Sequence, residues 1–550
     1  MPEYLSPGVY VEEVSTGPRP IEGVSTSTAG FVGQTERGPT IPRLVTSWQD
    51  YYRWFGGHIA PNVSYLPYAI QGFFDNNGQR AFMARVVGPG AVTASLNIPA
   101  TTGAPPPDAN NILIVSAIGP GTWGNNILIE VSDATQRDIN AIPPRDWFRI
   151  TILYYRDGIP APFVDPTDPA NLSNPNRREP NALEDYDNLS ANPNASNYVL
   201  RVVNTVSRLF QLDWGNTAPP PVGVPARPTN RLFTDAPLMA GGNDPNPATP
   251  TEYIGNQTAN NNRGIGLGGL EIIDEVSILC VPDEANDTLD PADVLTNAVI
   301  DQCERTRDRF AVVSIPAGQG QVAQIRPPRD TTYGAVYYPW IRVVNPRNQD
   351  TLLIPPAGHV AGIYARTDVE RGVHKAPANE VVRGIVTRDI NSNRGPLEFK
   401  ISKGQHDILN PRGVNVIRDF RADGRSIRVW GARTMSSDAL WRYVNVRRLF
   451  LFVEESIDEG TQWVVFEPNY EQTWAAVRRS ITNFLVRVWR SGALVGATQA
   501  EAFFVKCDRT TMTQDDIDNG RLICLIGIAP VKPAEFVIFR ISQKTAEATA

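Results

Sequence analysis

The strongest candidate for chemistry in this sequence is a glycine-rich run at residues 264–269, GIGLGG, which formally matches the G-x-G-x-x-G pattern. That pattern binds a dinucleotide when a strand precedes it and a helix opens directly after it, because the helix N-terminus then receives the pyrophosphate. Here the polar stretch 256–263 precedes the glycines and the apolar run 270–273 follows them. The sequence therefore favours a flexible glycine loop, and a dinucleotide-binding enzyme is the less favoured alternative.

Other residue types that carry catalysis are few and dispersed. The four histidines have neither metal-ligand spacing nor a nucleophile close by in sequence; they are His58, His359, His374 and His406. Adjacent carboxylates such as Glu454 and Glu455 would point in different directions on a helix or a strand. No P-loop, H-E-x-x-H or G-x-S-x-G pattern occurs. We expect no enzymatic activity, no cofactor and no metal site.

The composition is that of a large, folded and mildly acidic chain. Its 550 residues are enough for about three or four domains. The 47 prolines and 43 glycines fall short of the share that marks disordered sequence, so they punctuate a folded chain. The formal net charge of -7 offers no basic excess for nucleic acid. No run of about 18 apolar residues occurs, so we expect no membrane insertion.

The cysteines and the N-terminal residues indicate the cellular compartment in which the protein is made. The four cysteines are scattered without C-x-x-C spacing, which argues against a disulfide framework and a zinc site. We expect them to be reduced and mostly buried. The N-terminal residues have neither a basic nor an apolar stretch of the kind found in signal peptides, so we expect synthesis and assembly in the cytoplasm.

The first part of the chain has the order of an α/β domain with an insertion. A strand at 28–33 is followed by helical spacing at 48–55 and 66–74 and by a buried strand at 81–87. From about residue 92 to 235, proline runs and many Asn and Asp separate short strands, which predicts an inserted, mostly β domain with long surface loops. Its strands are predicted at 112–115, 127–131 and 148–155.

The α/β character returns after the insertion. Strands at 276–282 and 310–316 flank a helix at about 291–306, which predicts a parallel βαβ unit. Further along we predict a strand at 337–344, a helix at 355–365, and, in an Arg-rich region after about 370, strands at 427–430 and 449–454.

One long helix near the C-terminus has two distinct faces. Its apolar positions recur at three- and four-residue spacing and form one stripe; they are Trp474, Val477, Ile481, Phe484, Leu485 and Val488. Arg479, Asn483, Arg487 and Arg490 fall on the opposite side. A core-packed helix with a solvated basic face accounts for this pattern, and docking of the basic face on an acidic partner is the alternative.

Both ends of the chain carry a strand-like run isolated by turn residues. The N-terminal run contains Val9, Tyr10 and Val11 and is followed by a tether at 16–20, TGPRP. The C-terminal run contains Phe536, Val537, Ile538, Phe539 and Ile541 and follows Pro530 and Pro533. Because a strand needs an edge to pair with, each run could complete the sheet of a neighbouring subunit. This arrangement predicts a polymer.

These observations predict a multidomain α/β (mixed α+β) protein with strand arms at both ends. The predicted parts are an N-terminal arm at 1–22, a discontinuous α/β middle domain at 23–91 and 236–366, an inserted outer domain at 92–235, a C-terminal core domain at 367–529 and a C-terminal arm at 530–550.

The chain resembles the tail sheath proteins of contractile phage tails and phage-tail-like contractile injection systems nearly end to end. The stretches that carry the resemblance are 4–13 (YLSPGVYVEE), 361–368 (AGIYARTD), 372–379 (GVHKAPAN), 429–434 (VWGART) and 441–448 (WRYVNVRR). His374 stands where the family often has an aromatic residue, and the insertion is the least typical part.

The resemblance implies a homopolymeric helical sheath around an inner tube protein, with baseplate and cap or terminator proteins at its ends. It implies that the arms add to the sheet of a neighbour's C-terminal domain, and that Arg479, Asn483, Arg487 and Arg490 face the tube. Contraction would then drive the tube through a target envelope. A tube or baseplate component of the same kind of particle is the alternative, and an adhesive role for the insertion is a further one.

Overall fold

The structure is a computed structural model that describes residues 20–101, 112–141, 145–215, 227–386 and 395–540. The chain forms two compact units. We call residues 26–369 and 377–444 the α/β unit. The described residues 20–25, 370–376 and 445–540 belong to the second, which we call the C-terminal unit. The finer division predicted from the sequence stays a prediction.

The strands alternate with helices through most of the chain. The strands are β1 (Thr28–Gln34), β2 (Arg43–Val45), β3 (Arg80–Val86), β4 (Ser95–Thr101), β5 (Ile112–Ala117), β6 (Ile127–Asp133), β7 (Phe148–Tyr154), β8 (Ala182–Leu189), β9 (Phe210–Trp214), β10 (Arg227–Pro228), β11 (Ile278–Cys280), β12 (Phe310–Ser314), β13 (Gly334–Tyr338), β14 (Ile341–Val344), β15 (Thr351–Ile354), β16 (Glu380–Val381), β17 (Val414–Asp419), β18 (Ile427–Val429), β19 (Phe503–Lys506) and β20 (Leu525–Ile528).

The helices are α1 (Trp48–Phe55), α2 (Leu66–Asp75), α3 (Val199–Val206), α4 (Pro250–Ile254), α5 (Ala259–Asn262), α6 (Gly266–Glu271), α7 (Val294–Thr306), α8 (Ala357–Arg371), α9 (Lys403–Leu409), α10 (Val444–Thr461), α11 (Glu471–Arg490), α12 (Gln499–Ala502) and α13 (Gln514–Asp518). The strand, helix, strand order and the mixed α/β class predicted from the sequence are confirmed.

A nine-stranded mixed sheet forms the centre of the α/β unit, in the order β16-β18-β17-β13-β12-β11-β1-β3-β2. Its six inner strands, β17 to β3 in that order, are all parallel, and antiparallel strands lie at both ends. The inner strands are buried along nearly their whole length, as expected for a parallel sheet covered on both faces. The predicted βαβ unit is β11-α7-β12, with Ile278 opposite Phe310.

The insertion is β-rich, as predicted. Strands β10-β4-β5-β9 form an antiparallel sheet, and β6-β7-β8 form a second one. Side chains from both sheets and from α3 share one apolar core, in which Leu113, Ile150 and Val203 are fully buried.

Two of the predicted strands differ from the structure. The predicted strand 337–344 is two strands, β13 and β14, which flank Pro339; proline cannot continue a ladder because it lacks the N–H donor. The predicted strand 449–454 lies inside helix α10. A short apolar run does not distinguish a buried strand from a buried helix, and here Leu449, Val453 and Ile457 recur every four residues toward the core.

The prediction of a flexible loop at residues 264–269 is wrong for residues 266–269, which lie in helix α6. The segment before it contains helix α5, where the dinucleotide motif needs a strand. A Cβ at Gly268 would lie 2.8 Å from the carbonyl carbon of Asn256, and one at Gly269 would lie 2.8 Å from Cγ of Pro42. These glycines therefore allow close packing of backbone segments.

The C-terminal unit consists of helices α10 to α13 and the hairpin of β19 and β20. Its core joins residues from α10, α11 and β19 with one residue from the N-terminal segment. Leu449, Leu485 and Phe503 are among its buried residues, and Ile21 is fully buried with them.

Candidate assembly surfaces

The β19–β20 hairpin is a two-stranded antiparallel sheet in the C-terminal unit, with Phe503 opposite Ile528 and Lys506 opposite Leu525. Residues of a strand alternate between the two faces of the sheet. Accordingly Phe503 is 4% exposed and packs in the core, whereas Phe504 is 58% exposed on the other face. The hairpin thus has one face in the core and one face toward solvent.

Both edges of this sheet are open among the described residues, where each strand has only the other as a strand partner. The N–H of Ala529 donates to the carbonyl oxygen of Ala502, which fixes the hydrogen-bonding alternation along the ladder. By that alternation the backbone groups of Phe503 and Val505 point away from β20, and those of Ile526 and Ile528 point away from β19. Each edge can therefore accept another strand.

The C-terminal segment that follows β20 contains an exposed apolar run. Residues 531–540 are in no helix or strand. Phe536, Val537, Ile538 and Phe539 are 71%, 69%, 79% and 84% exposed. A soluble chain rarely exposes four successive large apolar side chains, so this run marks an interaction segment. Ile541 lies outside the described residues, as do Val9, Tyr10 and Val11 of the N-terminal run.

The N-terminal segment enters the C-terminal unit at residues 20–25. Ile21 is fully buried there. The N–H of Val24 donates to Oγ of Ser456 at 3.1 Å. A Cβ at Gly460 would lie 2.6 Å from Cγ2 of Ile21, so α10 needs glycine where this segment crosses it. The N-terminal arm is thus anchored on the unit that carries the hairpin.

Helix α11 has the two faces that its sequence predicts. The six apolar residues of the predicted stripe are all buried, and they are Trp474, Val477, Ile481, Phe484, Leu485 and Val488. Arg479, Asn483, Arg487 and Arg490 are exposed. Their spacing of four, four and three residues aligns them along one side of the helix. Arg478 is also exposed, but it lies on another side of the helix, where its Nη1 donates to the carbonyl oxygen of Cys507 at 3.1 Å.

Sequence reasoning missed the hairpin, which is the part of the C-terminal unit best suited to accept a strand. Its signal was present in the alternation of apolar residues at Phe503 and Val505 and in the apolar run 525–528. The described residues contain no cluster of three or more His, Cys, Asp or Glu side chains that could hold a metal ion.

An α/β unit with a β-rich insertion, joined to a unit with an open-edged hairpin and an exposed apolar tail, defines a multidomain structural protein suited to polymerisation by strand addition. The chain belongs to the phage tail sheath family. Residues 267–435 match the phage tail sheath protein central domain, and residues 436–544 match the phage tail sheath C-terminal domain. The resemblance read from the sequence is confirmed.

Known tail sheath proteins share part of the sequence. A prophage protein of Pseudomonas aeruginosa described as a major tail sheath protein is 28% identical over 189 residues, which are 34% of this chain and 45% of that protein. The tail sheath protein of Vibrio phage KVP40 is 25% identical over 219 residues, which are 40% of this chain and 31% of that protein. The chain thus aligns with less than half of the length of these curated relatives.

Solved structures share the fold over nearly the whole chain. The contracted helical sheath of the anti-feeding prophage superposes with a TM-score of 0.53 at 22% identity, covering 98% of this chain and 100% of that one. The contracted sheath complex of the extracellular contractile injection system PVC gives a TM-score of 0.54 at 21% identity, covering 99% of each chain. The chain therefore has the sheath fold.

Proposed function

We propose that this chain is the repeating subunit of a contractile helical sheath. It polymerises around an inner tube by exchanging strands between subunits, and it contracts to drive the tube through a target envelope. The observation that carries the proposal is the β19–β20 hairpin, which has no further strand at either edge within the described part of the chain and lies in the same unit as the exposed run Phe536–Phe539. Membership of the tail sheath family supports it.

The number of open edges matches the number of arms. The hairpin offers one edge on β19 and one on β20 among the described residues, and the chain has one strand-like run at each end. A β-strand added at an edge gains main-chain hydrogen bonds, while its side chains enter the faces of the sheet. Arms given to different neighbours make heterologous contacts, which continue as helical filaments when they do not close.

Contraction in this scheme is a rearrangement between two packings of rigid subunits. Strand pairs hold the neighbours together while the N-terminal tether 16–20 and the chain that follows Val531 let each subunit rotate and slide. Pro530 and Val531 themselves are held on the C-terminal unit, where Pro530 bridges Leu494 and the N–H of Val531 donates to the carbonyl oxygen of Ala493. The energy comes from a metastable extended lattice that relaxes to a more stable contracted one. No nucleotide is needed at each subunit in such a mechanism.

Assembly of the purified chain tests the proposal. We expect negative-stain electron microscopy of the full chain, with inner tube protein present as template, to show hollow, cross-striated tubes. Deleting residues 1–15 or residues 536–550 should abolish the tubes while circular dichroism and the Tm of the monomer stay unchanged, because the deleted strands are proposed to pair between chains. Tubes formed equally well by both truncated chains would contradict strand exchange.

The basic stripe of α11 is proposed to dock on the inner tube. Arg479, Asn483, Arg487 and Arg490 lie on one exposed side of the helix. Cationic side chains held at a surface bind an acidic partner in a salt-dependent way, and such contacts are weak enough to release during contraction. We expect Arg479→Glu to abolish co-sedimentation with tube protein. The matched control is Arg178→Glu, the same charge change at an exposed residue of the insertion, which should leave tube binding unchanged.

The remaining partners follow from the same proposal. The sheath would contact a baseplate at one end and a cap or terminator protein at the other, and it would assemble in the cytoplasm as part of a phage tail or phage-tail-like particle. Among the described residues, no helix combines the length and apolar character that a membrane span requires.

A further inference from the structure

Two cysteines lie opposite each other at the end of the β19–β20 hairpin. In the ladder Phe503 is opposite Ile528 and Lys506 is opposite Leu525. Continuing this register by one residue places Cys507 opposite Cys524. The sequence analysis treated these cysteines as unrelated, because the loop between them hides their proximity.

The hydrogen-bonding alternation determines which type of cross-strand pair they form. The N–H of Ala529 donates to the carbonyl oxygen of Ala502, so these two residues form a hydrogen-bonded pair. Pairs alternate along an antiparallel ladder, and Cys507 is five positions after Ala502. Cys507 and Cys524 are therefore a non-hydrogen-bonded pair, whose Cα atoms are about 4.5 Å apart. A disulfide accepts Cα separations of about 4.4–6.8 Å.

The two thiols are in contact. Both are free, with Cys507 buried and Cys524 half-buried. Hydrogen bonding from Cys524 lowers the pKa of the Cys507 thiol, and the same contact raises the pKa of Cys524. The nearby charge of Arg478 favours the thiolate at both sulfurs. A thiolate beside a thiol that solvent can reach is the arrangement required for oxidation to a disulfide.

We propose that Cys507 and Cys524 form a cross-strand disulfide when the protein meets a mild oxidant such as hydrogen peroxide, and that the hairpin is thereby locked at its loop end. The reduced pair suits the cytoplasm, where thiols are kept reduced, and the disulfide suits a particle exposed to an oxidising environment.

One molecule of hydrogen peroxide oxidises the two thiols to the disulfide and is reduced to two molecules of water. The proton in the hydrogen bond between the two sulfurs first passes from Cys524 to the Cys507 thiolate, so that the accessible sulfur of Cys524 becomes the thiolate. This sulfur attacks a peroxide oxygen; the O–O bond breaks, an S–O bond forms, and the departing hydroxide takes up the proton that Cys507 had released to solvent and becomes water. The sulfur of Cys507 then attacks the sulfur of Cys524; the S–S bond forms, the S–O bond breaks, and the second water leaves with the remaining thiol proton. The two thiols lose two electrons and the peroxide gains them.

The disulfide would stabilise the hairpin by closing the segment from Cys507 to Cys524, which contains α13. This consequence rests on the proposed function, in which β19 and β20 accept the arms: the oxidised subunit should hold its acceptor sheet in place more firmly. The thiol chemistry itself requires no polymer.

Peptide mapping of the full chain tests the proposal without assembly. The reduced monomer is treated with hydrogen peroxide, the remaining thiols are alkylated, and the digest is analysed by mass spectrometry without reductant. We expect a linked Cys507–Cys524 peptide two hydrogens lighter than the sum of its parts, with Cys280 and Cys303 fully alkylated after denaturation. We expect the oxidised chain to melt at a Tm higher by on the order of 5 °C, and dithiothreitol to reverse the shift.

Two variants complete the test. Cys524→Ser should abolish both the linked peptide and the Tm shift, whereas Cys303→Ser, which alters a cysteine buried in the α/β unit, should preserve both. Oxidation of Cys524 to sulfinic acid with Cys507 still alkylatable would overturn the proposal, because it would show that the sulfurs do not meet. A link between Cys524 and any other cysteine would also overturn it.

Discussion

The guanidinium of Arg487 donates a hydrogen bond from Nη2 to the carbonyl oxygen of Ile21, a residue 466 positions earlier in the chain. This contact joins two features that the sequence analysis treated separately, the N-terminal arm and the basic stripe of α11. The arm therefore starts from a fixed point beside that stripe. Arg487 is in part an anchor for the arm, whereas Arg479 has no such contact with residues 20–25 among the hydrogen bonds of the described chain.

We expect Arg487→Ala to destabilise the C-terminal unit by about 1 kcal/mol, because the carbonyl of a buried residue loses a charged donor while the arginine itself is largely solvated. Arg479→Ala should leave stability within about 0.5 kcal/mol of the wild type. Urea denaturation followed by tryptophan fluorescence measures both. Equal stabilities for the two variants would show that the contact with Ile21 contributes nothing.

Ile21→Ala should be more damaging, since Ile21 is fully buried against α10. Removing a buried isoleucine side chain costs about 2–5 kcal/mol from lost burial and the cavity it leaves. Val495→Ala is a suitable control, because Val495 lies in the same unit and is 54% exposed. We expect the urea midpoint to fall for Ile21→Ala only. A midpoint unchanged by Ile21→Ala would mean that residues 20–25 are not held on this unit in solution.

The alternation of buried strands and helices in the α/β unit could be predicted from the sequence because burial on both faces leaves long apolar runs, such as 310–314, between turn residues. Helix α11 could be predicted because its apolar stripe persists over about four turns, from Trp474 to Val488. Over the shorter span 449–453 the same reasoning failed. Five successive apolar residues show neither the spacing of a helix nor that of a strand, and only the packing of α10 shows that they are helical.

The apolar residues of the β19–β20 hairpin are visible in the sequence, but the pairing of the two strands could not be predicted from it. Strands β19 and β20 are short, and the residues between them include helix α13. Their pairing depends on contacts that local propensity does not encode. The opposition of Cys507 and Cys524 was hidden for the same reason, since it follows only from the register of the ladder.

The C-terminal run offers a sharp test of strand addition at one residue. Ile538 is 79% exposed and lies in a segment without helix or strand, so Ile538→Pro should leave the monomer's Tm unchanged. In an added strand, proline removes a ladder donor and disfavours the extended pairing. We expect Ile538→Pro to reduce the number of tubes counted by electron microscopy about tenfold or more.

Ile538→Val is the matched control, because valine keeps the β-branched side chain and the N–H donor. It should assemble like the wild type. If Ile538→Pro also assembled normally, the C-terminal run would not pair as a strand, and its exposed side chains would have to act by packing alone.

A buried carboxyl group makes the α/β unit sensitive to pH. Glu284 follows β11 and is 4% exposed. Its Oε1 accepts the N–H of Ser314 at 2.7 Å, and its Oε2 accepts the hydroxyl of Thr296 at 2.9 Å. Burial raises the pKa of Glu284 to about 8, with the charges of Asp290 and Asp293 acting in the same direction against the hydrogen bonds. The carboxyl is therefore neutral in the folded protein at neutral pH.

Because this pKa is higher in the folded chain than the ordinary value of 4.5, the wild type should lose stability as pH rises from about 4.5 to about 8. Glu284→Gln keeps the acceptor oxygen and cannot ionise. Near pH 5 the two chains should unfold at similar urea concentrations, and near pH 9 the variant should be more stable by on the order of 3 kcal/mol. A stability difference that stayed constant between these two pH values would show that Glu284 does not titrate in the folded chain.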